Sequence, residues 1–467
     1  MAVAVFIFHR DLRLIDNTGL LAAAEQGYTI IPIFVFTPEQ IDPRKNRYFS
    51  NAAVQFMCES LVELNADLES HGSRLFMYRG DTVSVLEKIA AKVPYTAVFQ
   101  NMDTSVYAQK RDRQIALFCK KTGKVFVNTE DYDLVSSSEG LLPDGRPYTV
   151  LSQYFARFQK DVAVRKPNLK NVATFLRQGR RGGELGDDRI DLNIFYTKNE
   201  NIVQKGGRAA GLQRLGVIDK YRDYNKNRDF PAQDATTKLS AYIKFGVVSI
   251  REVYHKIASV LGPTHGLIRE LVFRSFYMKI FSYNPKLQRG TAYRSDMDQR
   301  IPWVSKTAYW KAWTTGTTGY PLCDAGMRQL AKEAWVHNRV RMILASVASR
   351  YLFIDWREAS RYFYQHVVDA DTFSNTAGWQ WAAGIGPDAA PYFRAPFNPF
   401  IQSRKFDKSA EYIKRYIPEL VSVDPAHIHR WNEDKIRALY PDVSYPAPIV
   451  QDASKHSIAV FKKAYQG

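Results

Sequence analysis

The chain has 467 residues, which suggests two or three domains, and 45% of them are apolar, enough for a sizeable core. Its formal charge of +18 favours a polyanionic partner such as nucleic acid, because each phosphate neutralised by Lys or Arg releases counterions. Three scattered cysteines (Cys58, Cys119, Cys323) exclude a disulfide framework and a four-thiolate cluster.

The nine histidines show no metal-ligand spacing, so no metal is expected. The apolar run at residues 2–8 is too short for a membrane helix and has no basic segment before it. A soluble, intracellular monomer with no membrane contact is expected, cytoplasmic or wherever the genome is kept.

Residues 2–8 read as a buried strand, and similar runs follow at 29–36, 74–78, 96–99 and 125–128. Helical patterns lie between them, as at 52–71 with Phe56, Leu61, Leu64 and Leu68 on one face. This alternation predicts an α/β domain with a doubly wound parallel sheet over residues 1–135. The first strand leads into His9-Arg10-Asp11-Leu12-Arg13 rather than a GxGxxG loop, which argues against a dinucleotide site of the usual kind there.

From 136 to 205 the periodicity fades, and Gly140, Pro143, Gly145, Pro147 and the basic 177–183 cluster predict a connector. From 206 to 467 the pattern is helical almost throughout, as at 240–245, 249–261, 265–283, 324–334 and 340–352. The second domain is therefore expected to be all-helical.

Three groups in that half carry chemistry. Thr236, Thr237, Lys238, Leu239 and Ser240 offer hydroxyls and backbone N–H groups at a helix start, suited to a pyrophosphate or to plain capping. Glu270 and Arg274, at i and i+4, share a helix face among Leu271, Val272, Phe273, Phe276 and Tyr277. Asp369 and Asp371, with Asn375 four residues on, can accept from the N–H edges of a heterocycle or from an arginine; no further acid completes an oxygen shell for a cation.

Ordered motifs now point one way. Arg10-Asp-Leu-Arg-Leu-Ile-Asp-Asn17, Arg228-Asp-Phe-Pro231, Leu239-Ser-Ala-Tyr-Ile-Lys-Phe-Gly246, Thr318-Gly-Tyr-Pro321, the Trp335-to-Met342 string and Trp379-Gln-Trp381 together resemble the photolyase/cryptochrome family. The resemblance implies an antenna-type α/β domain and a helical catalytic domain holding FAD. Light would drive an electron from reduced flavin into a pyrimidine dimer in DNA, making the chain a carbon–carbon lyase of DNA repair.

Carried over by position, Tyr224, Thr236, Thr237, Lys238, Leu239, Ser240, Arg274, Trp335, Asn338, Arg341, Asp369, Asp371 and Asn375 are expected around the flavin. Asn338 would face ring atom N5, Arg341 and Asp369 would pair, and Asp371 would accept from the ring's N3–H. Trp379, Trp356 and Trp303 match the tryptophan chain that photoreduces FAD. Glu270, Phe273, Arg339, Met342, Trp381, Arg394 and Lys405 are expected to meet damaged DNA.

Asn338 and Met342 stand where six-four enzymes place histidines, so the string is similar to class I cyclobutane photolyases. The alternatives are a six-four enzyme or a cryptochrome-type photoreceptor without repair; the charge and the short C-terminal extension lean toward repair. Phe273 stands where class I members usually have tryptophan, Ser275 replaces a glutamate and Leu267 an aromatic. Ala108 and Gln288-Arg289 depart from the folate-binding pattern, so folate is disfavoured as a second antenna chromophore, and a deazaflavin or none remains open.

Overall fold

The computed structural model describes residues 2–178, 185–186, 190–388 and 397–466. The chain forms two compact units that are discontinuous in sequence. One comprises Met1–Lys198, Gln204–Lys220 and Thr237–Pro285; the other comprises Asn199–Val203, Tyr221–Thr236 and Lys286–Gly467.

The first unit is built on five parallel strands, β1 (Val3–Phe8), β2 (Thr29–Phe36), β3 (Phe76–Arg79), β4 (Ala97–Asn101) and β5 (Val125–Thr129), in the order β3-β2-β1-β4-β5. The central strands are buried on both faces, as unbroken Val/Ile/Phe runs require. Four of the helices between the strands start on side-chain caps: Asn17, Ser50, Asp81 and Ser105 each accept a backbone N–H of the first turn.

The 10–17 motif is a buried polar scaffold. Asp131 accepts from Arg13 at 2.6 Å and from Arg251 at 2.6 Å, and Arg251 also donates to Asp16 at 2.7 Å. Burial alone would raise the Asp131 carboxyl, but the two guanidinium groups outweigh it and hold it well below the usual range. The network ties β1 to the Ile250–Leu261 helix. Gly246 belongs to it too, because at φ +63° a Cβ would lie 2.2 Å from the Arg10 carbonyl oxygen.

One helix, Leu151–Asp161, falls inside the stretch expected to be a connector. Tyr154 and Phe158, four residues apart, are its buried stripe.

The second unit is helical among its described residues. Its core gathers Trp313, Cys323, Leu344, Trp356, Trp379, Trp431 and Phe461. Asp324 locks the Thr318-Gly-Tyr-Pro turn by accepting the backbone N–H groups of Thr318 and Gly319 and the hydroxyl of Thr318. Gly319 sits at φ +79°, where a Cβ would meet the Ala447 carbonyl oxygen at 2.3 Å.

Candidate active site

In the second unit the site is organised by the helix Asn338–Ser346. His337 caps it: Nδ1 accepts from the Arg339 backbone N–H at 3.1 Å. An accepting Nδ1 puts the ring proton on Nε2. Burial lowers the His337 pKa to about 4, the nearby arginines add to the effect, and Asp229 partly opposes it. Trp335 is buried edge-on to this ring at 6.4 Å.

Asn338 is exposed at the first helical position. One turn on, Arg341 Nη2 donates to both Asp369 oxygens, at 3.1 and 2.9 Å, and Nε donates to the Val336 carbonyl at 2.7 Å. The expected Arg341–Asp369 pair is thus formed. The guanidinium lies over Phe363 at 5.6 Å, and that ring meets Trp379 edge-on at 6.0 Å. One indole is thereby linked through a single ring to the ion pair.

Asp371 caps the helix Thr372–Ala382 by accepting from the Phe373 N–H at 3.1 Å. Asn375 commits its amide N–H groups to Ser360, at 3.2 Å to the carbonyl and 3.0 Å to Oγ. Tyr224 is buried and lies 5.6 Å from the Arg228 guanidinium carbon.

Arg339 pairs with Asp229 at 2.7 Å, reaches Met342 Sδ at 3.7 Å and covers Phe406 at 4.6 Å. Exposed Lys405 approaches the same ring at 5.1 Å. These five side chains form one cluster, in which Asp229 already offsets the charge of Arg339. Trp381 donates its indole N–H to the Asp388 carbonyl at 2.9 Å and packs on Phe397. Arg394 and residues 179–183 of the basic cluster lie outside the described residues; Arg177 bonds the Ile30 carbonyl through its backbone N–H at 2.7 Å.

Two tryptophans expected in one chain share a carboxylate. Trp303 Nε1 and Trp356 Nε1 donate to the same Asp298 oxygen, at 3.1 and 3.0 Å. Trp379, 4% exposed, instead meets Trp313 edge-on at 5.9 Å, and Trp313 lies 5.9 Å from Trp310. Sequence reasoning missed Asp298, Trp310 and Trp313. The i, i+3 spacing of Trp310 and Trp313 was a signal for a shared helix face; for Asp298 there was none.

In the first unit, Glu270, Phe273 and Arg274 lie on the helix Gly266–Tyr283. Phe273 is half-buried, parallel to Phe276 at 6.3 Å. Arg274 grips Tyr132, donating to its carbonyl at 3.0 Å and covering its ring at 4.0 Å, while its Nη2 is buried without a hydrogen-bond partner. Ser275 is fully buried and donates to Asp133 at 2.8 Å, with the Tyr154 hydroxyl 3.0 Å away; Leu267 is also buried. Lys238 sits at φ +51°, uncommon for a side chain with a Cβ, and its carbonyl accepts from Gln204 at 2.6 Å. Gln204 also donates to Ser240 at 3.2 Å. Leu239, which has no side-chain acceptor, occupies the N-cap position of the short helix Ser240–Lys244.

By chemistry the second unit's Arg341–Asp369 pair and Asp371 suit the polar edges of a flavin ring, while the first unit by itself offers Lys238 and the Ser240 hydroxyl to an anion and a buried Arg274 Nη2 to an acceptor. Among the described residues no group of three His, Cys, Asp or Glu could hold a metal ion.

A family model described as DNA photolyase matches residues 4–172, and one described as the FAD binding domain of DNA photolyase matches residues 267–465. A deoxyribodipyrimidine photo-lyase of Alkalihalophilus pseudofirmus is 34% identical, over 97% of both chains. One from Synechococcus is also 34% identical, over 96% of this chain and 94% of its own. The archaeal photolyase structure from Sulfolobus tokodaii with two FAD molecules is 34% identical, with a TM-score of 0.85 and 99% of both chains covered. A Synechocystis cryptochrome structure covers 99% of both chains with a TM-score of 0.89, but at 22% identity it shows the fold alone. With an α/β sheet domain, a helical FAD-binding domain and whole-length relatives of this kind, the chain belongs to the DNA photolyase family.

Proposed function

We propose that this chain repairs DNA with light, splitting cyclobutane pyrimidine dimers by electron transfer from reduced FAD. The observation that carries the proposal is 34% identity over 97% of both chains with a protein named deoxyribodipyrimidine photo-lyase. When bound, FAD supplies the light-driven electron, and the protein supplies position and electrostatics.

Arg341, fixed by Asp369 and the Val336 carbonyl, presents a charged edge to the ring system. Asp371 accepts a ring N–H. Asn338, Trp335, Asn375, Tyr224 and Arg274 complete the surroundings, while Thr236, Thr237, Lys238, Leu239 and Ser240 hold the phosphates. Glu270 and Phe273 hydrogen-bond and stack on the flipped lesion, and Met342, Trp381, Arg339, Lys405 and Arg394 contact the strand. Trp379, Trp356 and Trp303 recharge the flavin.

The functional division follows the sequence: antenna-type domain 1–135, connector 136–205 and catalytic domain 206–467. The protein acts inside the cell as a monomer on damaged DNA; none of its described helices is long and apolar enough to cross a membrane. The two FAD molecules of the Sulfolobus relative make a second flavin one antenna to test, beside a deazaflavin.

The test is a light-and-dark comparison on an oligonucleotide carrying one thymine dimer, run beside a six-four photoproduct. Restored thymines in light alone are expected. Repair of only the six-four lesion, or of neither while FAD is bound and photoreducible, overturns the proposal.

A further inference from the structure

Asp298 is 5% exposed and lies in the second unit. One of its oxygens receives the indole N–H of Trp303 and of Trp356, so the two nitrogens are no more than about 6 Å apart. The segments bearing these rings are also pinned by their backbones, with the Val304 N–H donating to the Phe353 carbonyl at 2.7 Å. On its other side Asp298 meets Arg357, whose Nη2 touches Oδ2 and whose Nη1 lies 3.4 Å from Oδ1. Arg357 is itself held by the Gly290 carbonyl at 2.7 Å and Asp355 at 3.2 Å. A buried indole N–H needs an acceptor, and here one oxygen serves two of them while its carboxylate also pairs with Arg357.

We propose that Asp298 is a positioning residue of the tryptophan chain, holding Trp303 and Trp356 in hopping register and stabilising positive charge on either ring. This rests on the reading of those two tryptophans as members of the chain. The oxidant is photoexcited, oxidised FAD, which takes one electron from Trp379. Trp356 then gives one electron to oxidised Trp379, and Trp303 gives one to oxidised Trp356; no carbon bond forms or breaks. Each hop moves one positive charge outward, and that charge makes the indole N–H acidic.

Asp298 accepts the hydrogen bond from either ring. Arg357 meets the same carboxylate from its other side, so the indole N–H groups face one half of an ion pair. Charge on either ring thus faces a carboxylate at hydrogen-bond distance, where partial burial weakens screening. A small thiol in solution ends the sequence: it returns one electron to oxidised Trp303 and releases its proton to water, and two thiyl radicals couple to a disulfide.

The experiment uses FAD-loaded protein and four variants, Asp298→Asn, Arg357→Gln, Trp303→Phe and Trp356→Phe. In the dark, the indole N–H resonances of Trp303 and Trp356, assigned from their own Phe variants, should both move in Asp298→Asn at unchanged flavin content. After a light pulse, Asp298→Asn keeps an acceptor oxygen but loses the charge, so photoreduction yield should fall on the order of tenfold. Arg357→Gln removes the guanidinium that competes with the indoles for the carboxylate, and neutral tryptophan radical should replace the cation sooner in the transient spectrum.

If Trp303→Phe and Trp356→Phe photoreduce at the wild-type rate, the chain reading itself fails. If both are blocked while Asp298→Asn matches wild type in yield and radical spectrum, the chain stands and the role of Asp298 is overturned. Should Asp298→Asn fail to fold, Arg357→Gln decides alone, and an unchanged rate of proton loss refutes the proposal.

Discussion

His337 gives the most quantitative prediction, because its acid form breaks the cap of the helix that carries Asn338 and Arg341. The buried ring has a pKa of about 4, against about 6.5 when unfolded. Between those values the unfolded chain binds more protons, so stability is fully present above pH 6.5 and is lost as pH falls toward 4. From pH 7.5 to pH 5 the loss from this one group is about 2 kcal/mol, since one pKa unit is worth about 1.4 kcal/mol. The comparison variant is His337→Asn, which caps a helix but does not titrate. Asp11 and Asp324 are pushed up to about 6 by burial and act with the opposite sign, gaining stability as pH falls; they are common to both proteins and cancel. Denaturant unfolding at pH 7.5 and pH 5, followed by flavin release, should show the wild-type advantage over the variant shrinking by about 2 kcal/mol. Parallel pH profiles for the two proteins would refute the neutral, capping His337.

Four further outcomes are expected. Asp371→Ala should weaken FAD retention by about 1–3 kcal/mol, read by flavin dissociation in dialysis, because a buried ring N–H loses its acceptor. Trp379→Phe should block photoreduction of oxidised FAD yet leave repair intact once the flavin is reduced chemically. Affinity for damaged DNA should fall steeply with salt, and Lys405→Ala should flatten the log–log slope by about 1, more than Arg339→Ala, whose charge Asp229 already offsets. Glu270→Ala should lower repair yield more than FAD binding, whereas Phe273→Ala should weaken lesion binding by about 1–3 kcal/mol, measured by titration of a dimer-containing oligonucleotide.

What the sequence made legible was periodic or local. The five apolar runs became the five strands with ends shifted by no more than two residues, and in the central strands burial on both faces leaves an unbroken apolar signature. The Leu151–Asp161 helix was hidden by flanking Gly and Pro, although Tyr154 and Phe158 carried its period. Long-range pairing was not legible. Nothing in Arg10-Asp-Leu-Arg names Asp131 or Arg251 as partners, since Arg251 lies 235 residues from Asp16. The motif read as a signature, and the structure gives it a mechanical meaning as a buried charge network. The tryptophans show the same limit: the resemblance assigned three of the eight to the electron chain, but only the structure reveals that two share Asp298 and that the third touches Trp313 instead.

Not every departure from the family pattern in the 267–275 stretch concerns substrate. Ser275 is buried against Tyr154 and Asp133 within its own unit. A glutamate there would set a second carboxylate beside Asp133 in a poorly solvated place, which raises one pKa or costs stability. Serine fits because its single hydroxyl donates to that carboxylate while meeting the tyrosine. Leu267 is 5% exposed, so it too answers to packing. Ser275 therefore answers to Tyr154 of the Leu151–Asp161 helix and to Asp133, and burial of Leu267 points the same way, to packing. Phe273 is half-buried, and Asn338 and Met342 are exposed and half-exposed at the start of their helix, so on the proposed reading these are the positions left for lesion choice. Phenylalanine offers a smaller stacking face than tryptophan but no polar group to desolvate, so this departure should change how tightly the dimer is held more than which dimer is chosen. On the proposed reading, lesion identity then falls to Asn338 and Met342, neither of which can supply the acidic proton that a histidine at the same place would bring.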